Sequence, residues 1–330
     1  YIPVPTGQGN FTWRDDNGDG IQQLNEFYEA INFDEKNFLK VFVPTNQYVS
    51  SYSSNYLYRL NMTAPAKWRQ KGGWRKQLSK FSSSTYYTID KSSLRNDFSF
   101  RLNPLYGDIA DSSLLFANAN FRNSLFWNRQ HSDYGLEYSY NQQSQKQLLS
   151  NGFEARKNLL HQLISRKNIG KAFTVRLASE LLNRQSASDY LNNRNYEVRG
   201  YRLRPELAYQ PSHNLRVTLS GAYGSKNNVK GAQEMSHNME VALETRYSKV
   251  SNRTIQVNIR YNKIRYNADT NTPLAYEMLD ALQPGNNYYW NVSYTQKLLN
   301  GLQLTINYDG RQSEKLPIVH IGRIQATALF

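Results

Sequence analysis

The sequence has no cysteine and no long apolar run, and each absence removes a class of protein. Without cysteine among its 330 residues, the chain forms no disulfide and carries no thiol chemistry. It also lacks any stretch of about 18 apolar residues, which excludes a membrane-spanning helix. The mean hydropathy is −0.73. A chain this polar crosses a membrane with strands or not at all, because only every second residue of such a strand meets lipid.

Acidic residues are scarce relative to basic ones. The chain has 40 Lys and Arg against 26 Asp and Glu, a formal net charge of +14. Such an excess suggests nucleic acid as a partner. The basic residues are spread along the chain and never form a run of five, so we predict that it binds no nucleic acid. We expect Lys and Arg in loops and at rims to face the phosphate groups of outer-membrane lipid and lipopolysaccharide.

No catalytic constellation stands out. The five histidines, none at a metal-like spacing to another, are His131, His161, His213, His237 and His320. A Ser, His and acid triad that assembles across strands has no fixed spacing in sequence, and no residue here singles one out. We therefore predict that the protein is not an enzyme and has no catalytic residues and no organic cofactor.

Four consecutive segments between Glu197 and Tyr261 alternate apolar and polar residues with period two, as in strands with two unlike faces. The apolar rows are Tyr201, Leu203, Leu207 and Tyr209; Leu215, Val217, Leu219 and Tyr223; Met239, Val241, Leu243 and Tyr247; and Ile255, Val257, Ile259 and Tyr261. The polar rows of these strands, and the polar row of the strand before them, hold arginines and glutamates that can form ion pairs. The arginines are Arg176, Arg202, Arg204, Arg216, Arg246 and Arg260, and the glutamates are Glu180, Glu206, Glu240 and Glu244.

A soluble β-sandwich also alternates apolar and polar residues. Charge on the second face of every strand, with connections that are alternately short and long, is more typical of an outer-membrane barrel. We therefore predict an all-β fold, a transmembrane antiparallel β-barrel of about 14 strands over residues 46–330. The predicted strands lie near 47–62, 74–90, 95–103, 111–127, 132–146, 152–166, 170–183, 195–210, 213–225, 236–249, 252–266, 287–298, 301–312 and 320–330.

The connections predict an orientation. Short ones fall near 166–170, 210–213 and 249–252, and long ones near 183–195 and 266–287. Short turns belong to the periplasm, so the last strand, which follows a long loop, ends there. An even strand count returns the start of the barrel to the same side. Residues 1–45 are therefore predicted to form a periplasmic segment. Because the sequence opens at Tyr1 without Met or a signal peptide, we also expect it to be a piece of a longer chain.

Residues 15–26 carry the sharpest chemical motif, a match to the EF-hand calcium loop. Asp15, Asn17 and Asp19 offer side-chain oxygens at positions one, three and five, Ile21 offers its carbonyl, and Glu26 closes the loop with two oxygens. Gly20 permits the turn between them. The alternative is an Asp, Asn and Gly turn that matches by chance. We predict one structural Ca²⁺, held by Asp15, Asn17, Asp19, Ile21 and Glu26.

Several phrases in the sequence resemble one family. They are Gly7-Gln-Gly-Asn-Phe-Thr-Trp13, the loop of residues 15–26 followed by Phe27, Leu279-Asp-Ala-Leu-Gln-Pro-Gly-Asn286, and Tyr308-Asp-Gly-Arg311 through His320-Ile-Gly to Phe330. Together they are similar to the carboxy-terminal part of large Bacteroidota outer-membrane proteins. The flank before the barrel is similar in style to the type IX secretion translocon, whose barrel is far larger. The resemblance implies a barrel in the bacterial outer membrane and no reaction.

Two functions are compatible with such a barrel, and we predict the first, with the second as the alternative. In the first, it is a structural or docking subunit of an envelope assembly, a secretion or outer-membrane biogenesis complex, with other envelope proteins as partners. In the second, it is a channel or transporter for small solutes. Residues 275–287 predict a short helix in a loop that is a lid, a partner contact or a compact cover of the barrel mouth. An amino-terminal plug would favour transport, whereas co-purification with other envelope proteins would favour assembly.

Overall fold

The computed structural model of the chain describes residues 1–41, 43, 48–70, 72–96, 113–149, 152–191, 194–249, 253–298, 301–314 and 316–328. In this part of the chain the fold is all-β, with two antiparallel sheets. No helix among the described residues is long and apolar enough to cross a membrane.

The larger sheet has 13 strands, each paired with its neighbours in sequence. Its strands are β5 (Tyr52–Thr63), β6 (Phe81–Ser93), β7 (Leu114–Trp127), β8 (Tyr134–Leu149), β9 (Gly152–Ile169), β10 (Phe173–Ser188), β11 (Tyr196–Tyr209), β12 (Leu215–Asn228), β13 (Met235–Lys249), β14 (Arg253–Tyr266), β15 (Gly285–Lys297), β16 (Leu302–Ser313) and β17 (Val319–Ala328). One polar cavity is lined by side chains from every strand between β7 and β16, so the sheet curls around it. The fold is therefore barrel-like, although no pairing joins β5 to β17 in the described residues.

The smaller sheet belongs to the amino-terminal segment. It has four short strands, β1 (Ile2–Pro3), β2 (Phe11–Trp13), β3 (Phe27–Glu29) and β4 (Phe38–Leu39), in the order β1-β4-β2-β3. Two 3₁₀ turns, Leu24–Glu26 and Phe33–Glu35, connect them. Aromatic packing joins the strands, since the Phe27 ring stacks on Tyr1 at 4.1 Å and meets Phe38 edge-on at 5.2 Å. The predicted boundary at residue 45 lies outside the described residues.

The described sheet has one strand fewer than the 14 that the sequence predicts. The third predicted strand, 95–103, falls mostly on residues outside the described part of the chain. No position between β6 and β7 is free for it, because these strands pair directly from Phe81 with Trp127 to Ser93 with Leu114. The second predicted strand also began too early. A short helix, α1 (Trp74–Leu78), precedes β6 after a 3₁₀ turn at Ala66–Gln70, and Gly73 joins them at a positive φ of 69°.

The two ends of the large sheet differ. At one end, here called the turn end, lie the connections 170–172, 210–214, 250–252 and 298–301. At the other, here called the cap end, lie 189–195, 229–234, 267–284 and 314–318. From β9 onward the short and long connections alternate as predicted. Earlier in the sheet they do not, since only residues 150–151 separate β8 from β9 at the cap end, whereas residues 64–80 separate β5 from β6 at the turn end. Strands β9, β10 and β12 extend further than predicted. The connection 267–284 contains α2 (Pro273–Met278).

An odd number of antiparallel strands changes where the amino-terminal segment lies. Strand β5 starts at the cap end and β17 finishes at the turn end, because direction reverses at each of the 12 pairings of the sheet. The prediction that residues 1–45 lie on the side where the last strand ends is therefore wrong. With one strand fewer than predicted, the barrel starts and ends on opposite sides, and the amino-terminal segment packs on the cap end.

The predicted faces of the organising strands are confirmed. Leu203, Leu207 and Tyr209 are exposed on the outside, while Arg202, Arg204 and Glu206 line the cavity. Outward apolar residues also meet in register across strands, as Leu207 with Leu219 and Tyr223 with Met239. The outer surface thus carries a continuous apolar belt, and the polar residues face inward.

Candidate functional site

The candidate site is the polar cavity inside the curled sheet, with a volume of about 1390 Å³. Ten cationic and seven acidic side chains line it, so the described lining carries three more positive than negative charges. Strands β7 to β9 contribute mainly amides: Asn120, Asn141, Gln143 and Asn158. Such a lining offers hydrogen-bond donors and acceptors to water or a polar solute, and it gives an apolar ligand little to bind.

The predicted pairing of inward arginines with glutamates is partly formed. Glu240 lies between two guanidinium groups, with Arg202 at 3.2 Å and Arg260 at 3.8 Å. Glu206 repeats the arrangement nearer the turn end, with Arg216 at 3.7 Å and Arg176 at 3.9 Å. Each acid is thus shared by two arginines, and each group of three keeps one positive charge.

The other four predicted members make no ion pair among the described residues. Glu180 accepts a hydrogen bond from the Gln162 amide at 2.7 Å, and Glu244 accepts one from Gln256 at 3.4 Å. Arg204 lines the cavity, and its buried Nε has no hydrogen-bond partner. Arg246 stands opposite Arg216 in the pairing of β12 with β13. The wall from β10 to β14 therefore has an excess of positive charge.

The amino-terminal segment, residues 1–41, closes the cap end of the cavity and is here called the cap. Glu29, Ile31 and Asn32 form part of the cavity lining. The Glu29 carboxylate lies 3.0 Å from Arg156 of β9, and Lys40 lies 3.0 Å from Glu154 of the same strand. These ion pairs join the cap to the start of β9.

Two further arginines hold the cap at other points of the rim. Arg311 of β16 donates to Asp34 at 2.5 Å and to Glu35 at 3.1 Å. Arg194, in the connection after β10, donates to the carbonyl oxygens of Asn25 at 3.0 Å and Phe27 at 2.6 Å. Both contacts use charged donors in partly buried surroundings, where such hydrogen bonds are strongest. The cap is thus attached on several sides of the curled sheet.

The connection 267–284, here called the long loop, forms the second part of the closure. Thr272 caps α2 by accepting from the Ala275 N–H at 3.1 Å, and Pro273 occupies the first helical position. The apolar face of the loop packs into the mouth, with Leu274 and Met278 against Val198 and Ala275 and Leu279 against Ile264. A short helix is present in this loop as predicted, but it spans Pro273–Met278, so Leu279 and Leu282 of the predicted helical spacing lie beyond its end. The apolar residues of the loop cover the inside of the mouth.

Charged residues fix the long loop to the cavity wall. Glu277 pairs with Arg184 of β10, and the Lys226 ammonium of β12 donates to Asp280 at 2.6 Å. The Tyr276 hydroxyl donates to the Glu29 carbonyl, and its ring stacks on Tyr28 of the cap. Burial raises the pKa of the Tyr276 hydroxyl, so this group remains a donor at neutral pH. The cap and the long loop therefore form one joined cover.

Four of the predicted calcium residues, Asp15, Asn17, Asp19 and Ile21, lie in one turn at the surface of the cap. Asp15 accepts from the N–H groups of Gly18 at 2.7 Å and Gly20 at 2.8 Å, and Asp19 accepts from Ile21 at 2.7 Å. Gly18 and Gly20 have positive φ values of 74° and 72°, which the tight turn requires. The loop is thus shaped by side chains that accept from its own backbone.

Glu26, the predicted closing ligand, is fully buried at 0% exposure. One carboxylate oxygen accepts from the Trp13 indole at 2.9 Å and from the Gln23 N–H at 3.2 Å. The other, Oε1, has no partner. An oxygen-rich set with one unpartnered carboxylate oxygen suits a hard cation such as Ca²⁺. Within the described ranges, however, no three acidic or histidine side chains are grouped closely enough to hold a metal.

Comparison with known proteins adds no family. No family model matches the chain, and no curated protein matches it. The resemblance to Bacteroidota outer-membrane proteins stays a prediction.

Several residues that join the cap to the barrel were not singled out in the sequence. Arg311 and Asp34 are separated by most of the chain, and Arg156, Arg194 and Lys40 lie in segments with no motif. The signal that was present is the acidic character of residues 26–35, which hold Glu26, Glu29, Asp34 and Glu35 in a basic chain. An acidic segment of this kind is suited to a basic rim.

Proposed function

We propose that the chain forms a transmembrane β-barrel of a bacterial outer membrane and that its polar cavity is a route for small solutes, closed at one mouth. The observation that carries this proposal is the cap, which forms an end of the cavity and is attached to β9 and β16 by ion pairs. A docking subunit needs no such closure. A channel that must stay shut in the absence of a signal does need one.

The outer surface supports the membrane assignment. Its apolar belt is exposed in a chain of low mean hydropathy, and burial of that belt in lipid would remove it from water. With the short turns in the periplasm, the cap lies at the outer surface of the membrane. This orientation is opposite to the one predicted for residues 1–45 from an even strand count.

Ca²⁺ fits this scheme as a structural ion of the cap. Asp15, Asn17, Asp19, the Ile21 carbonyl and Glu26 would hold it, and the ion would neutralise carboxylates that otherwise repel one another. The bound ion would keep the loop beside Phe27 and Asn25, whose carbonyl groups accept from Arg194. Calcium would thus strengthen the attachment of the cap to the rim.

A docking role in a secretion or outer-membrane biogenesis complex is the second candidate. Both edge strands are exposed, with Leu57 of β5 at 69% and Ile324 of β17 at 75%. Unpaired strand edges are suited to pairing with another chain. Other envelope proteins are the partners that this candidate requires.

Planar-bilayer recording separates the two candidates. The wild-type protein should show little conductance, whereas the double variant Arg194→Ala, Arg311→Ala should show frequent open steps because two attachments of the cap are lost. Arg199→Ala is the control, since this arginine lies on the outside of β11, paired with Glu197. If the double variant is folded, releases its cap to protease and still conducts no more than the wild type, the solute route is wrong and the docking role is favoured.

A further inference from the structure

We infer that the cavity wall from β10 to β14 is a binding site for small multivalent oxyanions, solutes that carry carboxylate or phosphate groups. This inference rests on the proposed solute route only in requiring that the cavity be reached from the turn end. Two observations support it: the excess of positive charge on the wall, and the buried Nε of Arg204, which has no hydrogen-bond partner.

The wall keeps an excess of positive charge because two of its glutamates are each shared by two arginines. Each of Glu240 and Glu206 lies between two arginines, so two groups of three side chains each keep one positive charge. Arg204 lies on the inward face of β11 between Arg202 and Glu206, one member of each group. Apart from Arg184 and Lys226, which pair with acids of the long loop, the wall has six arginines and four glutamates. In a cavity bounded by protein, such an excess raises the local concentration of anions.

Arg204 is the centre of the proposed site. Its buried Nε has no hydrogen-bond partner, and no carboxylate among the described residues forms an ion pair with it. A buried charged donor left without an acceptor is costly. An oxyanion that enters the cavity would supply the acceptor, because a guanidinium group binds carboxylate and phosphate through two parallel hydrogen bonds.

Arg246 extends the site toward the turn end. It stands opposite Arg216, and the two like charges repel each other across β12 and β13. A ligand with more than one anionic group would relieve that repulsion while contacting Arg204. This requirement favours multivalent anions over chloride. The amides of β7 to β9, such as Asn141 and Asn158, are suited to the uncharged hydroxyl or carbonyl groups of the same solute.

The test is a calorimetric titration of the full chain in detergent at physiological ionic strength. Citrate and inorganic tripolyphosphate are the two probes, and a saturable signal for one of them identifies the class of oxyanion. Arg204→Gln should weaken the binding of that probe about tenfold or more, since a charge-assisted hydrogen bond is lost. Arg199→Gln is the matched control, because it removes one arginine from the outer face of the same strand and should leave binding unchanged within about twofold.

The inference is overturned if neither probe binds to the wild type, or if Arg199→Gln weakens binding as much as Arg204→Gln. Should Arg204→Gln fail to fold, Arg246→Gln gives the same test on a side chain that is exposed to the cavity. The titration is independent of conduction. If the probe binds but the cap-released variant does not conduct, the anion site is supported and the solute route is wrong. If that variant conducts but no probe binds, only the anion site is wrong.

Discussion

Tyr276 of the long loop stacks on Tyr28 of the cap with ring centroids 4.6 Å apart, and its hydroxyl donates to the Glu29 carbonyl at 2.5 Å. These contacts connect segments separated by most of the chain. They make the release of the cap and the movement of the long loop a single event.

We expect Tyr276→Ala to release the cap more often. An aromatic pair contributes about 0.5–1.5 kcal/mol beyond its buried area, so cleavage within residues 1–41 should accelerate up to about tenfold. Tyr276→Phe keeps the stack and should have a smaller effect. Tyr209→Ala is the control, since it removes an aromatic pair from the outer face of β11 at the turn end. Equal cleavage rates in Tyr276→Ala and the wild type would contradict the joined cover.

Outward and inward positions should differ in their tolerance of charge. Leu219→Arg and Val257→Arg place a charge on the outer belt and should each destabilise the protein in lipid by about 2–4 kcal/mol. Thr218→Arg and Asn258→Arg place it in the polar cavity and should cost little. Refolding into lipid vesicles in a urea series measures both pairs. Similar losses from the two pairs would argue against a membrane barrel.

Calcium should change the fluorescence of Trp13, because the Trp13 indole donates to Glu26 and a bound ion would redirect that carboxylate. We expect a saturable change with Ca²⁺ and a much weaker one with Mg²⁺, whose smaller octahedral shell suits this loop poorly. Trp13→Phe identifies the signal among the five tryptophans, and Glu26→Gln should abolish it. Cleavage before Phe38 should also be faster with a chelator. The site is absent if neither the fluorescence nor the cleavage rate responds to calcium.

Acidification should loosen the loop of residues 15–26 through Asp19. The pKa of Asp19 is lowered because the Ile21 N–H, and then Asn17 and Gln23, donate to its carboxylate. A lowered folded-state pKa gives a contribution that is present above the ordinary aspartate pKa of about 3.9 and is lost as the pH falls through the folded value. The protection factor of the Ile21 amide, which compares its exchange with the intrinsic rate at the same pH, should therefore fall below about pH 4.

Asp16 should oppose this trend, which provides an internal control. Burial raises the pKa of Asp16, although the Tyr28 hydroxyl donates to it. Its contribution is therefore present at low pH and is lost as the pH rises through the raised value. In Asp19→Asn the acid-dependent fall in the protection factor of Ile21 should disappear, while Asp16→Asn should retain it. A fall that persists in Asp19→Asn would assign the effect to another group.

The faces of the strands were predictable because they depend on alternation within one strand. Leu219 and Thr218 are assigned to opposite sides by a pattern that needs no knowledge of the rest of the fold. The spacing of Tyr276 and Leu279 predicted that the long loop contains a helix, but it did not predict its bounds, since the helix spans Pro273–Met278 and Leu279 lies beyond it. Local periodicity therefore identified both the barrel-like sheet and the polar lining.

The position of the cap was not predictable in this way. It depends on the number of strands, and a single strand added near residue 95 reverses the side on which Tyr52 begins. The partners of Arg311 depend on the same count, because Asp34 meets it only when the cap lies at that end. The shared position of Glu240 between Arg202 and Arg260 required the register of β11 to β14, which no single strand encodes.

The count of 13 strands also bears on how the curled sheet can close. Direction reverses at every step from β5 to β17, so these two edges run the same way along the molecule. If they meet, they form a parallel seam in an otherwise antiparallel wall. Parallel pairing uses slanted hydrogen bonds and is slightly less stable per residue. The wall would then part first along β5 and β17, on the side where Leu57 and Ile324 are most exposed.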